Sequence, residues 1–206
     1  MPKVKVCGIT NLADALLACE LGADALGFIF YAKSPRCIAP DRAREIVREL
    51  PPFVTIVGVF VNAAVATVNE SFQNVGIEVA QLHGDETPSF ARKLKGKYVK
   101  VLRVRDELPE ETLRAFGQGT FLLDTLDSTR YGGTGQTYDW TLARSAKDYG
   151  RIILSGGLNP DNVAGAMALV LPYAVDVCSG VEAQPGKKDP KKLHAFFKAV
   201  KTPNNQ

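Results

Sequence analysis

The sequence is poor in the residues that build metal and cofactor sites. Its 206 residues include two histidines and one tryptophan. The four cysteines, at 7, 19, 37 and 178, form no CxxC pair and have no histidine at ligand spacing. Neither a zinc site nor a redox dithiol is supported, and four free thiols are expected. Charge of one sign is also lacking, since 25 lysines and arginines stand against 22 aspartates and glutamates for a net +3. The sole dense basic stretch, Lys187 to Lys192, is interrupted by Asp189 and Pro190, so no nucleic-acid partner is indicated. No basic segment with an apolar core and cleavage site opens the chain. No secretory signal is therefore read, and the reducing cytoplasm is the expected compartment. The longest apolar stretch, Ala164 to Val175, falls about six residues short of the roughly 18 a membrane helix needs, and Pro172 breaks it. It reads as the end of a helix followed by a buried strand, and no membrane partner is expected. Hydrophobic residues make up 46% and charged residues 23%, with no linker or low-complexity segment, which excludes a disordered chain and leaves one domain over residues 1–206.

What is present is alternation. Apolar runs at Val4 to Cys7, Ala25 to Phe30, Thr55 to Val61, Glu78 to Leu82, Tyr98 to Arg103, Thr120 to Asp124, Arg151 to Leu154 and Ala174 to Cys178 read as eight strands. They are continuously apolar, so both faces should be covered, as in a parallel sheet with helices outside it. Between them, Ala43, Ile46, Val47 and Leu50 follow Pro40 at helical spacing, and Pro51-Pro52 stops the helix. Asn159 and Pro160 read as a helix start before Val163, Ala166, Met167 and Val170, and Asp189-Pro190 repeats it before Leu193, Phe196, Phe197 and Val200. Thr10 is placed as the cap of a further helix, with Leu12, Leu16 and Cys19 inward and Gly22 at its end. Eight such units leave an open doubly wound sheet or a closed barrel. The count, with a strand first and a helix last, favours the α/β class as a (β/α)8 TIM barrel, and no GxGxxG follows the first strand.

In such a barrel the C-terminal ends of the strands and the loops after them form the active face. Those rims are Cys7 to Thr10, Phe30 to Arg36, Val61-Asn62, Gln81 to Gly84, Arg103, Asp124 to Gly135, Ser155 to Leu158 and Cys178 to Glu182. The last two, SGGL and SGVE, are small and glycine-containing. Exposed backbone N–H groups there, near a helix start, make a phosphate cradle. Cys7 is a candidate base at the barrel mouth. Asp124 closes the apolar strand FLLD and is suited to donate a proton. Arg36, in KSPR, has the fork geometry for a carboxylate, and His83 can orient a hydroxyl. Asp176 faces either the barrel interior or the helices. Cys19 and Cys37 receive no function, and His194 and Trp140 read as surface and packing residues. Gly132-Gly133-Thr134-Gly135 lies in a long rim segment that reads as a lid.

Together these rims resemble the phosphoribosylanthranilate isomerase family. The resemblance is carried by KVCGIT (5–10), GADALGFIFYAKSPR (22–36), VGVFVN (57–62), QLHGDE (81–86), LLD (122–124), YGGTGQTYDW (131–140), LSGGLNPDNV (154–163) and VDVCSGVEAQPGKKD (175–189). It implies a (β/α)8 barrel and a cofactor-free, metal-free Amadori rearrangement in L-tryptophan biosynthesis. The substrate is N-(5-phosphoribosyl)anthranilate and the product 1-(2-carboxyphenylamino)-1-deoxyribulose 5-phosphate. It also implies Asp124 as general acid and Cys7 as general base. The substrate phosphate falls to Gly156, Gly157, Ser179 and Gly180, and the anthranilate carboxylate to the neighbourhood of Arg36. Gln81, His83 and Asp176 fall on motif positions at the site. The family implies a monomer, with a homodimer as the alternative. Tyr138 stands where phenylalanine is usual, and Cys178 where serine is frequent.

Three other readings compete with this one. The related aminoaldose isomerase of histidine synthesis has an aspartate at the end of the first strand and a phosphate site in each half of its barrel. Here the residue is Cys7, and the glycine-rich pair occupies the C-terminal half alone. A non-catalytic phosphosugar-binding barrel would keep SGGL and SGVE without needing Cys7 and Asp124. Indoleglycerol-phosphate synthase would require a catalytic lysine and glutamate that these rims do not supply.

Overall fold

The apolar runs become eight parallel strands in the computed structural model, which describes residues 1–104, 106–125 and 139–202. They are β1 (Lys3–Cys7), β2 (Ala25–Ile29), β3 (Thr55–Phe60), β4 (Val79–Leu82), β5 (Lys97–Val104), β6 (Gly119–Thr125), β7 (Gly150–Leu154) and β8 (Ala174–Val177). Each pairs in parallel with the next, and β8 returns to β1, closing the barrel. The helices α1 (Leu12–Leu21), α2 (Pro40–Arg48), α3 (Val65–Asn74), α4 (Pro88–Ala91), α5 (Glu110–Phe116), α6 (Thr141–Ser145), α7 (Val163–Val170) and α8 (Pro190–Lys201) fill the crossovers. The (β/α)8 TIM barrel expected from the alternation is the fold observed.

Strand periodicity divides the buried residues into two layers. One set, including Val6, Phe28, Phe60, Leu82, Leu102, Leu123 and Leu154, packs outward against the helices. The other points inward, and its lower part is an apolar cluster of Val99, Val101, Leu122, Ile153 and Ala174 with Val79 against it. One step further along the same strands, the inward positions turn polar, to Gln81, Arg103, Asp124, Ser155 and Asp176, and β1 adds Cys7. The barrel is thus sealed below and chemical above.

Local capping explains where the helices begin. α8 starts as expected, with the Asp189 side chain accepting from the amides of Lys191 and Lys192, and Leu193, Phe196, Phe197 and Val200 all buried. α2 buries Ala43 and Ile46 as its spacing predicts. The start of α1 differs. Asn11, not Thr10, is its N-cap, accepting from the Asp14 amide at 2.9 Å. The Thr10 hydroxyl instead donates to the carbonyl of Gly186. The inward stripe shifts accordingly to Asp14, Ala15 and Ala18, leaving Leu12 and Cys19 half-buried at the edge. Gly22, left-handed at φ 102°, does end the helix. The Asn159-Pro160 start is also displaced. Asn159 accepts from the amides of Asp161 and Asn162, making a preliminary turn, and α7 proper begins at Val163. After β8 the chain makes a small antiparallel hairpin, β9 (Glu182–Gln184) and β10 (Lys187–Lys188), that the sequence did not announce. The GGTG segment at 132–135 and Tyr138 lie outside the described residues. No helix among the described residues is long and apolar enough to cross a membrane.

Candidate active site

At the β1–β8 seam, Lys5 and Asp176 are register partners on the inward face, and Lys5 Nζ donates to Asp176 Oδ1 at 2.8 Å. Both are buried, at 5% exposure each. Asp176 therefore faces the interior, where the Ser155 hydroxyl also reaches it at 3.4 Å. One step further along β1 stands Cys7. A hydrogen bond from the Cys178 thiol brings the Cys7 pKa down from 9.0 to about 6, burial opposes the shift, and the Lys5 ammonium adds to it. The same contact and burial push the Cys178 thiol up. The pair therefore favours the thiolate at Cys7 over one at Cys178. Gly27, in register with Cys7 on β2, makes this possible. A Cβ there would lie 2.7 Å from Cys7 Sγ and 3.1 Å from Lys5 Nζ.

Arg36 approaches the seam from the loop after β2. Its Nε and Nη2 fork onto both oxygens of Glu182, at 2.7–3.0 Å, in a buried bidentate pair. Burial works against the charge on Arg36, yet Glu182 and the two nearby sulfurs raise its pKa further. Glu182 is held as a carboxylate in spite of burial by Arg36 and Lys188. The Arg36 edge that Glu182 does not cover keeps N–H donors for a ligand. Lys188, 1% exposed, donates to Glu182 at 3.1 Å, to the Cys178 carbonyl at 3.2 Å and to the Cys7 carbonyl at 2.6 Å.

A second polar group lies on β4 and β6. Gln81 Nε2 sits 3.4 Å from His83 Nδ1, and His83 Nε2 sits 3.4 Å from Asp124 Oδ2. The last contact is a close approach rather than a well-aligned hydrogen bond. All three side chains are buried. Asp124 and Cys7 stand on strands separated by β7 and β8, so the two groups face each other across the barrel mouth.

Loops 7 and 8 close the constellation. Gly156 and Gly157 are consecutive left-handed residues, at φ 84° and 70°, a conformation that glycine adopts without steric cost. The Gly157 carbonyl is held by Asn162 Nδ2 at 2.9 Å and Asn159 Nδ2 at 3.4 Å. Among the described residues nothing accepts from the Gly156 and Gly157 amides. Loop 8 packs directly on loop 7, because a Cβ at Gly180 would run into the Leu158 carbonyl. Gly156, Gly157, Ser179 and Gly180 are thus gathered at one end of the mouth.

The family model for N-(5'-phosphoribosyl)anthranilate (PRA) isomerase matches residues 4–199. The chain belongs to that family. Curated PRA isomerases from Citrifermentans bemidjiense and Pelobacter propionicus are 50% and 49% identical over 201 residues, covering 98% of this chain and 98% and 96% of theirs. The crystal structure of the Thermotoga maritima PRA isomerase superposes with a TM-score of 0.91 at 47% identity, covering 98% of this chain and 99% of that one. A PRA isomerase in complex with reduced 1-(o-carboxyphenylamino)-1-deoxyribulose 5-phosphate gives 0.88 at 44% identity over the same shares.

Against the PRA isomerase motifs, the structure brings Cys7 and Asp176 together at one side of the mouth and Gln81, His83 and Asp124 at the other. Sequence reasoning missed Lys5, Gly27, Glu182 and Lys188. A signal for Lys5 did exist, since KVKVC places a lysine two residues before Cys7 on the same face of an otherwise apolar strand. Also missed was Glu86 of QLHGDE, buried, which accepts from the amides of Asn62 and Gly84 and from Lys100 at 2.8–3.1 Å. Burial lowers the Lys100 pKa, overcoming the opposing pull of Glu86. His194 is exposed and Trp140 packs on the core, as read.

Proposed function

We propose that Cys7 and Asp124 are the general base and general acid of PRA isomerisation, the Amadori step of tryptophan biosynthesis. The observation that carries this reading is a buried cysteine seated beside Lys5 at the end of β1, facing a carboxyl across a mouth whose end is lined with open backbone amides. The phosphate of N-(5-phosphoribosyl)anthranilate takes the amides of Gly156, Gly157, Ser179 and Gly180. The anthranilate carboxylate takes the free edge of Arg36. Asp124, with His83 Nε2 3.4 Å from its carboxyl, protonates the ribose ring oxygen as the C1–O bond breaks, and the nitrogen lone pair completes an iminium ion. The Cys7 thiolate then removes the proton on C2, and the electron pair moves to C1–C2 and back to nitrogen, leaving an enolamine. Tautomerisation moves a proton to C1 and gives the ketone, with no atom gained or lost. Because the nitrogen is the electron sink, the chemistry asks for no metal or cofactor.

We infer a monomer as the working unit, with a homodimer as the alternative. A base that must stay a free thiolate fits the reducing cytoplasm. The test is turnover of phosphoribosylanthranilate, followed by its loss of fluorescence, with the aminoaldose of histidine synthesis as control. Cys7→Ser and Asp124→Asn should each lose about 10²–10⁴-fold in kcat while substrate affinity is largely kept. Near-normal turnover in either removes that residue from its role.

A further inference from the structure

Cys7 and Cys178 lie far apart in sequence and follow the register pair Val6 and Val177 by one residue each, Cys7 as the last residue of β1 and Cys178 immediately after β8. Neighbouring strands run about 4.7–4.9 Å apart, and disulfides join Cα atoms about 4.4–6.8 Å apart. Each sulfur perturbs the ionisation of the other, and both thiols are free. They also stand in the mouth that must admit a sugar phosphate. Their packing is tight from two sides, since a Cβ at Gly8 would lie 2.9 Å from Cys178 Sγ and one at Gly27 would lie 2.7 Å from Cys7 Sγ.

We infer that Cys7 and Cys178 form a peroxide-sensitive dithiol that closes reversibly to a disulfide across the β1–β8 seam. The Cys7 thiolate attacks a peroxide oxygen, breaking the O–O bond and giving the sulfenic acid and hydroxide. The Cys178 sulfur then attacks the Cys7 sulfur, the S–O bond breaks, and the hydroxyl leaves as water with the Cys178 proton. Two thiols lose two electrons in all, and hydrogen peroxide is reduced to two waters. The lysine beside Cys7 favours the attacking thiolate, and Cys178 stands within reach to resolve it. Closing the bridge also removes the proposed base, a consequence that rests on the function proposed above, whereas the bond itself does not.

The folded protein is treated with stoichiometric hydrogen peroxide at pH 7, its remaining thiols are alkylated, and its peptides are mapped by mass spectrometry without reduction. The expected product is a Cys7–Cys178 cross-linked peptide, lighter by two hydrogens and released by dithiothreitol. The Cys19→Ser/Cys37→Ser double variant should give the same cross-link. Cys178→Ser should give none and should instead accumulate the Cys7 sulfinic acid. Cys7 oxidised to sulfinic acid in the parent protein without a link to Cys178, or a bridge through Cys19 or Cys37, overturns the inference. Turnover assayed on the same samples separates the two readings. A mapped bridge with full activity retires Cys7 as base and leaves the dithiol in place.

Discussion

Replacing Gly27 with alanine tests whether the seat of the Cys7 sulfur sets the rate. The new Cβ would stand 2.7 Å from Sγ, 3.1 Å from the Cys7 Cα and 3.1 Å from Lys5 Nζ, where an ordinary contact is 3.4–4 Å. The backbone atom cannot yield, so the sulfur retreats by about 1 Å, a displacement that costs about 10²-fold in a positioned reaction. Overpacking of this size also costs about 1–3 kcal/mol of stability, a fall in Tm of about 2–12 °C for a chain of this length. The measurement is steady-state turnover of phosphoribosylanthranilate beside a thermal melt. The loss should fall on kcat with KM little changed, because Gly27 touches the base and its lysine rather than the groups assigned to the phosphate or the carboxylate. A folded Gly27→Ala protein with unchanged kcat would refute the claim that the Gly27 gap places the catalytic thiolate.

Other consequences concern charge and loop packing. The base role proposed for Cys7 requires the deprotonated thiol, whose folded pKa is lowered from the ordinary 9.0 to about 6, so kcat/KM should hold above that pH and fall as the pH drops through it. A profile flat down to pH 5 would contradict the assignment. Lys5→Met leaves Asp176 buried without its cation. A loss of about 3–5 kcal/mol in denaturant unfolding is expected, together with a move of the acid limb to higher pH. Glu182→Gln weakens the grip on Arg36 and should raise KM about tenfold, or ~1.4 kcal/mol, with kcat little altered; an unchanged KM would free Arg36 from its assigned part. Gly180→Ala forces loop 8 off loop 7 and should weaken competitive inhibition by inorganic phosphate, measured against the parent protein.

The fold was legible because its signals are local. Continuous apolar runs, helical stripes and an Asp-Pro start each act within a few residues, and the strands they announce appear within a residue or two of their expected ends. Errors arose where two local candidates competed. Thr10 and Asn11 are both good caps, and the decision came from Gly186, which draws the Thr10 hydroxyl away. Half of the candidate site was legible for a different reason, since Cys7, Asp124 and the SGGL and SGVE loops lie at the ends of strands. Lys5 and Lys188 were not legible as interior residues. A lysine in sequence reads as solvated, and what buries these two are partners 171 and 181 residues away, Asp176 and the Cys7 carbonyl. Lys188 lay within the basic stretch that argued only against nucleic acid, yet its ammonium is among the most buried groups of the described residues.

That ammonium also sets the order in which the molecule can be finished. Lys188, which holds the Cys7 carbonyl, is made 181 residues after Cys7. At synthesis rates of about 5–20 residues per second, the two are born about 10–35 seconds apart. Through that interval Cys7 has neither Asp176-anchored Lys5 nor Cys178 beside it, and it is an unremarkable thiol on a growing chain. The reactive sulfur comes into being when the last strand shuts the barrel.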